Sequence, residues 1–174
     1  MQFQNYHTSF CSLLAAATQL THSRAASRLN AVFVTFAKAD ETNGPKKSQT
    51  DLYSPPTQTL KARLTIGERR FPATEDTQGL SLFYRRLLQS MGDKATNISR
   101  EAFGSNEFIA AFDLESAPKV QHSGVSTNKA PLNLFLEGIY SASEAFGNRP
   151  GAVFLTIAHD TLLEVTKRGI IVGV

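Results

Sequence analysis

Along this chain apolar and polar residues alternate with a period of two in one stretch after another, which sends successive side chains to opposite faces of an extended backbone. "RLNAVFVTFAKA" sets Val32, Val34 and Phe36 on one face and Phe33 and Thr35 on the other, in the β-branched and aromatic types that suit a strand. "TLKARLTIGERRFP" sets Leu60, Ala62, Leu64 and Ile66 opposite Lys61, Arg63 and Thr65, with Gly67 and Pro72 ending it. "NEFIAAFDLES" and "LNLFLEGIYSA" predict two further strands. "GAVFLTIAHDTLLEVTKRGIIVGV" directs Val153, Leu155 and Ile157 one way and Phe154, Thr156 and Ala158 the other, breaks at Lys167-Arg168-Gly169 and resumes, predicting two closing strands paired inside a sheet. One segment changes period. "TQGLSLFYRRLLQSMG" spaces Leu80, Phe83, Leu87 and Met91 as a helix does, with Gly92 in the stop position.

Between these elements the composition turns to Pro, Gly, Asn, Lys and Ser. "DETNGPKKSQTDLYSPPTQ" and "PKVQHSGVSTNKAP" read as long loops and "SEAFGNRPG" as a turn region. Loops of that length are usually functional, and Asp40 to Gln58 and Ser116 to Pro131 are expected to project from one end of the fold and mediate contacts. Residues 8–28 mix Ala-rich, helix-favouring composition with interruptions at Thr21, His22 and Ser23. The expected organisation is a loosely attached lead-in over residues 1–27 and a single domain over residues 28–174.

About six strands with one helix between the second and third argue for antiparallel pairing rather than a doubly wound parallel sheet. The expected fold class is all-β with one or two short helices: an antiparallel β-sandwich, specifically a jelly roll of eight strands. The two strands still needed are expected in the lead-in and around "HSGVST".

Composition narrows the function classes. A chain of 174 residues fits one domain burying roughly 70% of its unfolded surface, a self-sufficient core. Hydrophobic residues make up 41% and charged ones 19%, well away from the disordered class and slightly poor in charge. The net charge of +3 comes from scattered bases with no aromatic interleaving, so nucleic-acid binding is the weakest of the readings considered. No stretch reaches the ~20 apolar residues of a membrane helix. The run "FCSLLAAATQL" lacks a preceding base, so secretion is not expected and it reads as a frayed helix. Cys11, the single cysteine, forms no intrachain disulfide and is expected as a buried structural thiol.

The chemistry-bearing residues are sparse. His159-Asp160 resembles a general-base pair, but neighbours on a strand point to opposite faces, and a bend between strands is the expected role. His7, His22, His122 and His159 lack a spacing that would put two on one face, so no metal site is expected. Asp113 and Glu115 share a strand face as paired carboxylates would, but read as a solvated strand end. Arg69-Arg70 lies at a strand end, and Arg85-Arg86, on the helix, is expected to meet nearby acids rather than phosphate. "HSGVSTN" is not a nucleophile turn. No catalytic, cofactor-binding or metal residue is assigned, and no cofactor or enzymatic activity is expected.

Read in order, "RLNAVFVTFAKA", "LKARLTIGERRFP", "LFYRRLLQSMG", "ISREAF", "FIAAFDLES", "HSGVSTN" and "VFLTIAHDTLLEVTKRGIIVGV" resemble the C-terminal half of a double jelly-roll major capsid protein. That family belongs to double-stranded DNA viruses and to related virus-like elements integrated in eukaryotic genomes. The match runs from about Arg28 onward, and its most specific parts are "IGERRFP", "FDLE" with "SGVSTN" after it, and the closing hairpin. The resemblance implies a structural, self-assembling jelly-roll subunit, a homotrimer that contacts neighbouring capsid subunits, with no catalytic residues. A virion location follows if the protein is viral, and an intracellular one otherwise. Proteins of that family carry two sandwiches, whereas this chain has room for one, as a fragment, a gene remnant or a host-retained single jelly roll would. The alternative is a ligand- or carbohydrate-binding β-sandwich, which the same fold supports, although Trp is absent and Tyr numbers four.

Overall fold

The structure is a computed structural model that describes residues 2–26, 28–40, 44–45, 53–56, 58–92, 97–115, 124–141, 143, 149–166 and 169–173. Its elements, in chain order, are β1 (Gln2–Ser12), β2 (Thr18–His22), β3 (Leu29–Asp40), β4 (Gly44–Pro45), β5 (Lys61–Ile66), β6 (Arg69–Phe71), β7 (Thr77–Gln78), α1 (Leu80–Met91), α2 (Arg100–Ser105), β8 (Ala110–Asp113), β9 (Leu132–Glu137), β10 (Pro150–Thr166) and β11 (Gly169–Gly173).

Two antiparallel sheets result. In the first, β10 lies between β1 and β3. Residues 31–34 of β3 pair with β10 and with β8 at once, so β8 lies on the far side and the order is β1-β10-β3-β8. In the second, β9 lies between β2 and β5, and β6 and β7 share the far side of β5. The pairings nest: β1 with β10, β2 with β9, β3 with β8, and β5 with β6 and β7. Apart from the β5–β6–β7 run, each step along these strands crosses from one sheet to the other. This nesting is the connectivity of a jelly roll, a double sheet made of two Greek keys. β4 and β11 are hairpin additions on β3 and β10.

The alternation that predicts the strands also fills the interior. Val32, Val34 and Phe36 of β3, Ala62, Leu64 and Ile66 of β5, Leu132, Leu134 and Leu136 of β9, and Val153, Leu155 and Ile157 of β10 form one buried cluster. Fully burying a Leu, Val, Ile or Phe is worth about 1.5–3 kcal/mol. Between the sheets' strands, α1 packs along β8 and inserts Phe83 and Leu87. The shorter α2 adds Phe103, its first turn held by Ser99 Oγ accepting the Ala102 amide. Two glycines serve tight passages. Gly67, at φ +58°, starts the two-residue β5–β6 turn. Gly138, at φ +67°, runs so close to Thr59 that a Cβ there would collide with the Thr59 carbonyl.

Several expectations need correction. The lead-in is not loosely attached: β1 pairs with β10 from Gln2 to Ser12, and β2 pairs with β9 from Thr18 to His22. β10 runs for 17 residues, long enough to offer β1 a full-length edge to hydrogen-bond. Two of the eight strands therefore come from the lead-in and one more is β6, separated from β5 by the turn at Gly67, with β11 an addition outside the eight; the described residues of "HSGVST" contribute a single bridge, between Val125 and Leu29. The run "FCSLLAAATQL" is strand, bend and strand rather than frayed helix. Of the loops expected to project, residues 41–43, 46–52, 57 and 116–123 lie outside the described residues. Of the described part, Val125 and Thr127 pack inward, the Val125 amide and carbonyl bonding Leu29 and the Thr127 hydroxyl accepting the Ala26 amide, while Ser126, Asn128 and Lys129 between and after them are exposed.

Candidate functional site at the open edge

The four edges of the sandwich are treated differently. The β8 edge is covered by α1. The β6 and β7 edge is short, three and two residues, and charged, with Arg70 donating to Asp76 at 2.6 Å and Arg63 3.8 Å from the same carboxylate. Short, charged or covered edges resist pairing with other chains. β1 and β2 sit side by side at the remaining edges, and no described element covers them. β1 runs for 11 residues without Lys, Arg, Asp, Glu or Pro. It turns Tyr6 and Phe10 outward at 58% and 66% exposure, and Leu14 follows at 94%. Phe10 stacks obliquely on Phe154, ring centres 6.1 Å apart.

Between β1 and β2 the two sheets part into a cleft of about 500 Å³, floored by Val153 and Leu155 and lined by Ser9, Cys11, Leu20, His22 and Arg24. His7 on β1 and His22 on β2, fifteen residues apart in sequence and on different sheets, bring their rings to 5.5 Å. Arg24 Nη1 lies 3.0 Å from His7 Nδ1. A guanidinium only donates, so His7 Nδ1 accepts and its proton sits on Nε2. His22 is held below its ordinary value by burial first, then by His7 and Arg24. No carboxylate lines the cleft among the described residues. Cys11 is half-buried on this lining, not fully buried as expected, because β1 is an edge strand covered on one side only.

The other candidates fall elsewhere. His159 and Asp160 lie within β10, where the pairing to β3 shifts register between Ala158 and His159, rather than at a bend between strands. His159 is buried, and its Nδ1 has no hydrogen-bond partner among the described residues. Asp160 Oδ1 accepts from Asn30 Nδ2 at 3.0 Å. Asp113 and Glu115 stand on the outer face of the first sheet, where Asp113 Oδ1 accepts the Glu115 amide at 3.0 Å. Both line a second groove, about 340 Å³, with Tyr6, Phe33, Met91 and Ile109. Arg70 meets an acid, whereas Arg85 and Arg86 form no ion pair among the described residues. Arg86 is lowered by burial. His122 lies outside the described residues. No three His, Cys, Asp or Glu side chains converge as metal ligands among those described, and no helix there is long and apolar enough to cross a membrane.

No local signal in the sequence marks the His7–His22 pair, since periodicity reports neighbours along one element, not residues facing each other across two sheets. Compared with protein-family models and with curated proteins, the chain matches none.

Proposed function

We propose that this chain is a structural subunit of the capsid type, a jelly roll that assembles with copies of itself, with the homotrimer as its unit, and performs no catalysis. One observation carries the reading: an 11-residue uncharged edge strand whose outward side chains include exposed Tyr6 and Phe10. An edge of that length and composition is a template for pairing, and exposed aromatic clusters mark protein interfaces. The jelly-roll connectivity and the low charge fraction agree with it. A trimer built this way is heterologous, with β1 of one copy meeting a different patch on the next.

Light scattering coupled to size exclusion, over a range of concentrations, tests the proposal. The wild-type chain is expected as a trimer or larger ring, and the double variant Tyr6→Lys, Phe10→Lys as a monomer with an unchanged circular dichroism spectrum. A wild-type monomer at every concentration overturns it. In that case the apolar groove holding Asp113 and Glu115 favours the second reading, a ligand- or carbohydrate-binding sandwich, and glycan and small-molecule screening takes over.

A further inference from the structure

The β1–β2 cleft gathers three nitrogen-rich side chains and no carboxylate to neutralise them. Arg24 spends one Nη1 hydrogen on His7 and keeps further donors in its fork. His22 lines the cleft beside it, with the His7 ring at 5.5 Å. Ser9 and Ser23 stand on the same walls. The opening is wide enough, at about 500 Å³, for a ligand well above the size of a single oxyanion. Arginine with paired donors fits a tetrahedral or planar oxyanion better than any other group, because its fork matches two oxygens at once.

We propose that Arg24, His22 and His7 form a binding site for a phosphate-class oxyanion at the open edge of the sandwich. Arg24 supplies the permanent charge. His7, whose Nδ1 is held by Arg24, supplies its Nε2–H as a neutral donor, and His22 supplies an N–H donor that strengthens when it takes up a proton, so binding draws a proton onto His22 and weakens as pH rises. The groups facing the pair support that direction. From β1 they are Ser9 and Cys11, from the segment after β2 they are Ser23 and Arg24, and from β10 they are Val153 and Leu155; His22 is opposite Leu132 of β9. None of these is an acid that would hold the histidines charged without a ligand. Burial, then His7 and Arg24, hold His22 below its ordinary value in the free protein, and a bound anion acts in the opposite direction.

The test follows the histidine ring resonances of the isotope-labelled full chain by NMR through pH titrations in inorganic phosphate and in chloride of equal ionic strength. Phosphate is expected to move the His22 titration to higher pH while leaving the His159 resonances in place. Arg24→Gln is expected to weaken phosphate about tenfold or more, the scale of losing a charge-assisted hydrogen bond. His22→Gln is expected to remove the pH dependence while retaining part of the affinity. A parallel arm with dimethyl phosphate separates the sources. Equal binding of the diester points to a phosphodiester backbone, and selective binding of inorganic phosphate to a free phosphate or monoester. Coincident titrations in phosphate and chloride overturn the site, as does an Arg24→Gln affinity equal to wild type. Because β1 also carries the proposed contact between copies, the titrations are repeated in Tyr6→Lys, Phe10→Lys, so that the site fails or stands separately from the self-assembly proposal.

Discussion

Phe108 shows how much one residue holds together. It precedes β8, is fully buried, and meets Phe83 of α1 edge-on at 5.2 Å, Phe103 of α2 at 5.1 Å and Phe36 of β3 at 6.2 Å. Aromatic pairs at these separations add about 0.5–1.5 kcal/mol beyond their burial. Both helices are thus tied to the first sheet through a single ring. Phe108→Ala is expected to cost about 3–5 kcal/mol, the range for emptying an aromatic site in a packed core. Urea unfolding followed by circular dichroism measures it, and a loss below about 1 kcal/mol would mean that α1 and α2 hold their places without this cluster. The sequence placed Phe108 in the strand "NEFIAAFDLES" but was silent about its partners, because three of the four rings arrive from other elements.

At the scale of elements, legibility followed burial. β3, β5, β9 and β10 were readable because one face of each is buried and the other is not, which is what writes a period of two into a sequence. β1 escaped because it is an edge strand with its aromatic residues outside: Tyr6 and Phe10 face solvent while His7, Ser9 and Cys11 face the cleft, so polarity gives no inward pattern. α2, six residues long, is too short for helical periodicity, and its start at the Ser99 cap with Glu101 in the first turn was not read from the sequence. The β1–β2 seam also sets an acid response. Unfolded, His22 titrates near its ordinary 6.5, while in the fold it stays neutral to lower pH. Between those two values the unfolded chain holds more protons, so this contribution to stability is complete above pH 6.5 and declines as pH falls toward the folded value. The melting temperature is therefore expected to drop between pH 7.5 and 5, and the drop to shrink in His22→Gln. Equal drops in both proteins would place the acid sensitivity elsewhere.

For the whole molecule, the described elements leave the β1–β2 side of the sandwich uncovered, and what happens there is a matter of mass action. A chain that associates only when folded gains apparent stability with its own concentration, since assembly removes folded monomer from the unfolding equilibrium. Exposed Tyr6, Phe10 and Leu14 are retained on an edge that has no charge to repel a neighbour, whereas the β8 edge is covered and the β6–β7 edge is short and charged. The melting temperature of the wild-type chain, measured by calorimetry over a hundredfold range of concentration, is accordingly expected to climb. That of Tyr6→Lys, Phe10→Lys is expected to stay level, because the two lysines add charge at the rim without touching the buried face of β1. The comparison separates assembly from the intrinsic stability of the sandwich. A level wild-type line would mean that the open edge closes no contact between copies, and a climbing line in the variant would move the contact to another face.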